Sequence, residues 1–310
     1  MASFYKFRPG AVVSTTINKY VYINVNKKFD DLIRASYSIT EFAKKPQDLK
    51  HELIREALLL TGIKKGVEIT SISDIPSKGT GLGSSSSYTV GLLSALHAFK
   101  RESVSREQLA SEACEIEIKK CGKPIGKQDQ YAAAFGGLNY IQFNCNGSVN
   151  VIPINCREAV RRKLQENLLM LYTGLTRPAS SVLQKQNEVT QNSAQKRGIL
   201  GQMVELARSL KVILEQGNLD EFGNLLHQNW ELKKKLAQGI SDERIDHWYE
   251  IARGKGAIGG KILGAGGGGF LLCYAPEKKQ SRICAALPEL KPMPFEFESR
   301  GSVIIYNNQE

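Results

Sequence analysis

Residues 79–87 read Gly79-Thr80-Gly81-Leu82-Gly83-Ser84-Ser85-Ser86-Ser87, and an apolar helical pattern follows. Such a segment suits an anion. Glycines let backbone amides turn inward, and the unpaired amides at a helix start attract negative charge. Serine hydroxyls add hydrogen bonds or an oxygen ligand for Mg²⁺. A helix needs only one serine as a cap, so the run from Ser84 to Ser87 offers more than capping. Two carboxylates follow. Glu117 lies on the helical stripe of Ala110, Cys114 and Cys121, where it either serves a site or pairs with Lys119 or Lys120. Asp129 stands in Gly126-Lys127-Gln128-Asp129-Gln130-Tyr131, ahead of Ala132-Ala133-Ala134. It either caps the alanine-rich helix or belongs to a loop beside a cleft. Phosphoryl transfer needs a cradle for phosphates, a metal ligand and an acid that handles the attacking hydroxyl. The chain from 79 to 129 holds a candidate for each.

A second glycine segment, Gly264-Ala265-Gly266-Gly267-Gly268-Gly269, satisfies G-x-G-x-x-G. The dinucleotide fingerprint requires a strand before that pattern and a helix after it. Here the strand-like run Phe270-Leu271-Leu272-Cys273-Tyr274 follows, so that reading is set aside. The tract is expected to let backbone approach a ligand or another loop closely. A G-x-x-x-x-G-K-[S/T] loop is also absent, because Gly260-Lys261 is followed by Ile262.

The elements that must hold these groups are legible in outline. Alternation at Val21, Ile23 and Val25, and at Val67, Ile69 and Ser71, predicts strands. Residues 11–15 and the trio Tyr140, Gln142 and Phe143 read the same way. Residues 47–60 and 84–99 predict helices, the second with Tyr88, Leu92, Ala95 and Phe99 on one stripe. Ser105 and Gln108 form a capping box, with Val104 and Leu109 as its staple. That helix is expected to reach about Lys120 and to stop at Gly122 and Pro124. Residues 168–172 predict a strand and 180–254 a series of helices. Two short strands with a helix between them follow, then a β tail over 295–306. Both halves mix strands and helices without regular βαβ alternation. The expected class is therefore α+β, with domains 1–160 and 161–310.

Composition narrows the partners. Of 310 residues 42% are apolar, enough for a core, and the formal charge is 42 − 31 = +11. That field favours nucleotides, phosphosugars or nucleic acid. The basic residues are scattered, and the densest run, Lys233 to Lys235, has no interleaved aromatics, so nucleic-acid binding is not expected. No stretch approaches the roughly 20 apolar residues of a membrane helix, and the first ten residues lack the apolar run of a signal peptide. The six cysteines form no C-x-x-C pair. Free thiols in the cytoplasm are expected.

Taken in order along the chain, these segments resemble the GHMP kinases (galactokinase, homoserine kinase, mevalonate kinase, phosphomevalonate kinase). Pro76-Ser77-Lys78-Gly79-Thr80-Gly81-Leu82-Gly83-Ser84-Ser85 is similar to their second motif, and residues 264–269 to their third. Three segments resemble the branch that phosphorylates D-glycero-D-manno-heptose 7-phosphate at its anomeric oxygen. They are Gly126 to Gly137, Thr16-Ile17-Asn18-Lys19-Tyr20 and Tyr172-Thr173-Gly174-Leu175-Thr176-Arg177. The resemblance implies a two-domain α+β fold with the ATP site in the cleft between domains. It implies ATP phosphates on the segment of Gly79, Gly81, Leu82, Gly83, Ser84, Ser85 and Ser86, Mg²⁺ on Ser85 and Glu117, and Asp129 as the catalytic acid. The third-motif glycines, Gly266 and Gly267 among them, are expected to close over the substrate. Lys127 and Arg177 are the expected partners of its phosphate, since a neutral sugar needs no cation there.

Family members open on a strand and a first motif, in the heptose branch a glycine tract ending in Asp. Met1-Ala2-Ser3-Phe4-Tyr5 resembles the segment just after it. That strand and motif are therefore expected to be missing, with Arg8-Pro9-Gly10 only an echo. Two other readings stay open: a kinase for another sugar such as fucose, and a shortened, non-catalytic binder of nucleotide or sugar. Assembly as a homodimer is also left open.

Overall fold

The computed structural model describes residues 2–75, 79–176 and 179–308. The chain forms two compact units, each assembled from separate stretches. One comprises Lys19–Ser77, Gly83–Gly137 and Glu298–Glu310; the other comprises Met1–Asn18, Lys78–Leu82 and Leu138–Phe297. The fold is α+β.

In the first unit the strands Val21–Lys27, Val67–Ser73, Ile33–Ser36 and Thr40–Ala43 lie side by side in that order. Val21–Lys27 runs antiparallel to Val67–Ser73, and Ile33–Ser36 runs parallel to it. Period-two alternation sends Val67 and Ile69 inward with Ile33 and Ala35, all fully buried. Each large side chain so buried contributes about 1.5–3 kcal/mol. The Ser84–Phe99 helix packs on this sheet, close enough that a Cβ at Gly91 would touch Ile23.

That helix starts and ends where the sequence predicts, but its buried face differs. Val90, Leu93, Leu96 and His97 are buried with Leu92, whereas Tyr88, Ala95 and Phe99 are only half-buried. The helix also touches Glu52–Thr61, Arg106–Cys114 and Gln128–Phe135. Apolar residues are therefore useful on several sides, and the periodicity does not select one. The pattern predicted from residue 47 begins as a helix at Glu52, because Pro46–Asp48 makes a separate 3₁₀ turn and His51 supplies the cap, its Nδ1 accepting from the Ile54 N–H at 3.3 Å.

In the second unit Gly10–Ser14, Asn139–Phe143 and Val149–Pro153 form an antiparallel sheet. A second sheet has the order Gly259–Ile262, Phe270–Tyr274, Leu168–Tyr172, Lys291–Pro292. Helices Leu219–Lys234, Glu243–Gly254 and Glu277–Ala286 bury Trp230, Ile245 and Ile283 in one core with Leu171, Leu271 and Ile262. The predicted β tail is largely absent. Only Phe297–Glu298 is a strand within it, and Val303, Ile304, Ile305 and Tyr306 expose their side chains outside any strand. Among the described residues all six cysteines are free, and no helix is long and apolar enough to cross a membrane.

Candidate active site

The carboxylate of Glu117 is the centre of a polar cluster inside the first unit. Arg106–Cys114 begins as expected, with Ser105 Oγ accepting from the Gln108 N–H at 3.1 Å. Past Cys114 the helix widens to a π turn over Glu115–Lys120. The Cys121 N–H donates to the Ile116 carbonyl, five residues back, at 2.8 Å, and the Lys123 N–H donates to the Glu117 carbonyl at 3.0 Å. Such turns recur at functional sites because the extra residue re-aims a side chain. Here it accompanies a Glu117 that is 0% exposed.

A buried charge persists only when its oxygens are satisfied. Glu117 Oε1 accepts from Ser85 Oγ at 2.6 Å and from Lys123 Nζ at 3.1 Å. Oε2 accepts from Ser86 Oγ at 2.7 Å and Gln130 Nε2 at 2.6 Å. The pairing with Lys119 or Lys120 is corrected to Lys123, since Lys120 lies 4.0 Å from Glu115 instead. Lys123 and Gln130 are absent from the sequence-derived set. Gln130 could have been suspected beside Asp129 in Gln128-Asp129-Gln130; Lys123 carried no signal. Gln130 Oε1 is buried and has no hydrogen-bond partner among the described residues.

The serines open a long helix. Gly83 is its N-cap at φ +72°, a left-handed conformation that suits glycine, and it has no side chain with which to cap the helix. A Cβ on Gly83 would lie 3.3 Å from both Cβ and Cγ of Asp129. The helix start and the second carboxylate are thus neighbours. Asp129 does not cap its own helix, Gln128–Phe135, whose N-cap is Lys127. Its Oδ1 accepts from Gln128 Nε2 at 3.1 Å. Loss of hydration raises the Asp129 pKa above the usual range, and the charge on Glu117 adds to that rise. The field of Lys127 reaches Cys114, whose thiol is nevertheless pushed up to about 12 by burial.

The two glycine motifs meet within the second unit. A Cβ on Gly81 would lie 2.7 Å from the Leu263 carbonyl oxygen, and one on Gly264 would lie 2.5 Å from the Gly81 Cα. The close approach expected of the tract is therefore to another loop. Gly79 lies against Thr176, with 2.9 Å between a Cβ there and the Thr176 Cβ. The Gly267 N–H donates to the Ile240 carbonyl at 2.9 Å, and Gly266 packs on the same backbone. Buried Lys233 donates to the Gly264 carbonyl at 2.6 Å, and burial lowers its pKa. Arg177 lies outside the described residues.

Ser85, Ser86, Glu117 and Asp129 thus form one connected group, while Gly79, Gly81, Gly266 and Gly267 belong to the other unit. The model of the GHMP kinases N terminal domain matches residues 48–137, and that of the GHMP kinases C terminal domain matches 206–292. The D-glycero-alpha-D-manno-heptose 7-phosphate kinase of Campylobacter jejuni is 28% identical over 299 residues, 90% of this chain and 85% of that protein. The L-fucokinase/L-fucose-1-P guanylyltransferase of Bacteroides fragilis is 27% identical over 91% of this chain, which spans 30% of that protein. A crystal structure of a D-glycero-D-manno-heptose 1-phosphate kinase from Bacteroides thetaiotaomicron matches with a TM-score of 0.77 at 26% identity, over 96% of this chain and 90% of that one.

Proposed function

Because the chain belongs to the GHMP kinase family, we propose that it moves the γ-phosphoryl group of ATP onto the anomeric hydroxyl of a heptose 7-phosphate. One observation carries this reading. A fully buried carboxylate, Glu117, is hydrogen-bonded to two serines of a helix start whose N-cap is a glycine, beside a second carboxylate with a raised pKa. The amides of Ser84, Ser85 and Ser86 supply the positive end of that helix to the nucleotide phosphates.

The donors also suit a hard divalent cation. Ser85 Oγ and Glu117 Oε1 are oxygens 2.6 Å apart, and one ammonium already bonds to both. These two side chains would hold Mg²⁺, which when bound offsets the charge on the phosphates during transfer. Asp129 accepts a hydrogen bond from the acceptor hydroxyl and orients it toward the γ-phosphorus. It takes the proton as the new P–O bond forms and the bond from the γ-phosphorus to the bridging oxygen of the departing ADP breaks. Its raised pKa brings it closer to the working pH, where a carboxylate accepts a proton more readily. Gln130 and Ser86 fix the Glu117 carboxylate from the other side.

The heptose acceptor is supported by the Campylobacter jejuni and Bacteroides thetaiotaomicron relatives and by the sequence around Lys127. The Bacteroides fragilis relative makes L-fucose the second candidate. Steady-state ADP release with D-glycero-D-manno-heptose 7-phosphate, its unphosphorylated form and L-fucose separates the two. The phosphorylated heptose is expected to give the highest kcat/KM. A preference for L-fucose would replace the heptose reading, and no turnover with any sugar would leave a binder.

A further inference from the structure

The Glu117 carboxylate has no vacant oxygen in the protein as folded. Its Oε2 is taken by two neutral donors, Ser86 and Gln130. Its Oε1 is shared by Ser85 Oγ and the Lys123 ammonium. The same ammonium donates to Ser85 Oγ at 2.7 Å. Lys123 therefore bonds to both of the oxygens that the functional reading assigns to Mg²⁺. A divalent ion and an ammonium cannot share that oxygen pair, because like charges at contact distance repel strongly in a partly buried setting.

The two partners are not equally free to move. The Glu117 side chain is 0% exposed, whereas that of Lys123 is 29% exposed. The Lys123 backbone is tied to the π turn through its N–H, but the ammonium sits on a flexible four-carbon stem with a route to water. Among the described residues, removing Lys123 leaves Glu117 with three neutral hydrogen-bond donors and no bonded cation.

We propose that Lys123 is a built-in counter-cation, which neutralises Glu117 in the metal-free protein and must swing out for the metal to bind. It thereby competes with Mg²⁺ and limits how much Mg²⁺ strengthens nucleotide binding. This rests on the assignment of Ser85 and Glu117 to the metal.

The test is calorimetric binding of AMPPNP, with EDTA and with saturating Mg²⁺, to the wild type and to Lys123→Met, Lys123→Gln and Lys123→Arg. The readout is the ratio of the two dissociation constants. In Lys123→Met and Lys123→Gln it should rise by about tenfold or more, because metal-free binding weakens while metal-bound binding strengthens. Lys123→Arg, which keeps the cation, should stay near the wild type. A lysine that is only structural would leave the ratio unchanged even where stability falls, and that result overturns the proposal. A second readout needs no variant. With AMPPNP present, Mg²⁺ should raise the acetylation rate of the Lys123 amine, followed by peptide mass spectrometry; an unchanged rate also overturns it. If the wild type does not bind AMPPNP even with Mg²⁺, the kinase reading itself fails. If it binds but Mg²⁺ has no effect on any variant, the metal assignment falls while the nucleotide reading survives.

Discussion

As the proposed catalytic acid, Asp129 carries a cost in stability. Burial and the nearby Glu117 hold its pKa in the folded protein above its value in the unfolded chain. The folded state then binds more protons across that window, so stability present at low pH is lost as pH rises from the unfolded value, near 4, to the raised one. Asp129→Asn removes the penalty. It is expected to raise Tm at pH 7 and to lower kcat by roughly two orders of magnitude, with nucleotide binding retained. Melting curves and steady-state kinetics on one preparation check both arms; a near-normal kcat would remove Asp129 from catalysis. Ser85 and Glu117 act as a pair, their oxygens 2.6 Å apart. Ser85→Ala and Glu117→Gln should each weaken Mg²⁺-dependent turnover, Glu117→Gln more so because it loses the charge. The double variant should lose less than the product of the two single losses. Simple multiplication in the measured kcat/KM would mean they serve different partners.

At the scale of elements, the glycine hairpin is held by backbone contact. Gly264 and Gly174 both sit in left-handed backbone, at φ +67° and +68°. A Cβ at Gly174 meets nothing within 4 Å, whereas one at Gly264 meets the Gly81 Cα at 2.5 Å. Conformation alone costs about 1–2 kcal/mol for either alanine. Gly174→Ala should show only that. Gly264→Ala should cost more than about 3 kcal/mol, since a backbone clash has no rotamer to relieve it. Urea denaturation of the two variants measures the difference, and equal costs would contradict the contact between the glycine loops.

Over the whole molecule, a formal charge of +11 attracts anionic substrates at long range, but salt screens it. Two anions in one site need local cations. A phosphate monoester brings about two negative charges near neutral pH, and ATP brings more. Arg177 is the proposed partner at the sugar phosphate because its planar fork grips two oxygens. Arg177→Ala should raise KM for the phosphosugar about tenfold, on the order of 1.4 kcal/mol, and leave KM for ATP nearly unchanged. Kinetics with each substrate varied in turn would show it; an unaltered phosphosugar KM would dismiss the role.

Local structure is readable from the chain alone. The Ser84–Phe99 helix begins and ends as predicted because glycines and serines at its start act over a few residues. Ser85 and Asp129 stand in short motifs and Glu117 on a stripe of small residues, so the sequence singles them out as candidates. Tertiary contacts decided the rest. The π turn at Glu115–Lys120 leaves no mark in residue types, yet it goes with the exchange of Lys119 and Lys120 for Lys123 as the partner of Glu117. The buried face of the Ser84–Phe99 helix was set by neighbours on several sides, not by its own period. Residues 303–306 have strand-forming side chains but lie in no strand, because a strand exists only when another pairs with it. Gly81 and Gly264 are far apart in sequence, and only the folded chain brings their backbones together. Short-range propensity can name the parts of such a site, while burial and long-range pairing determine which parts meet.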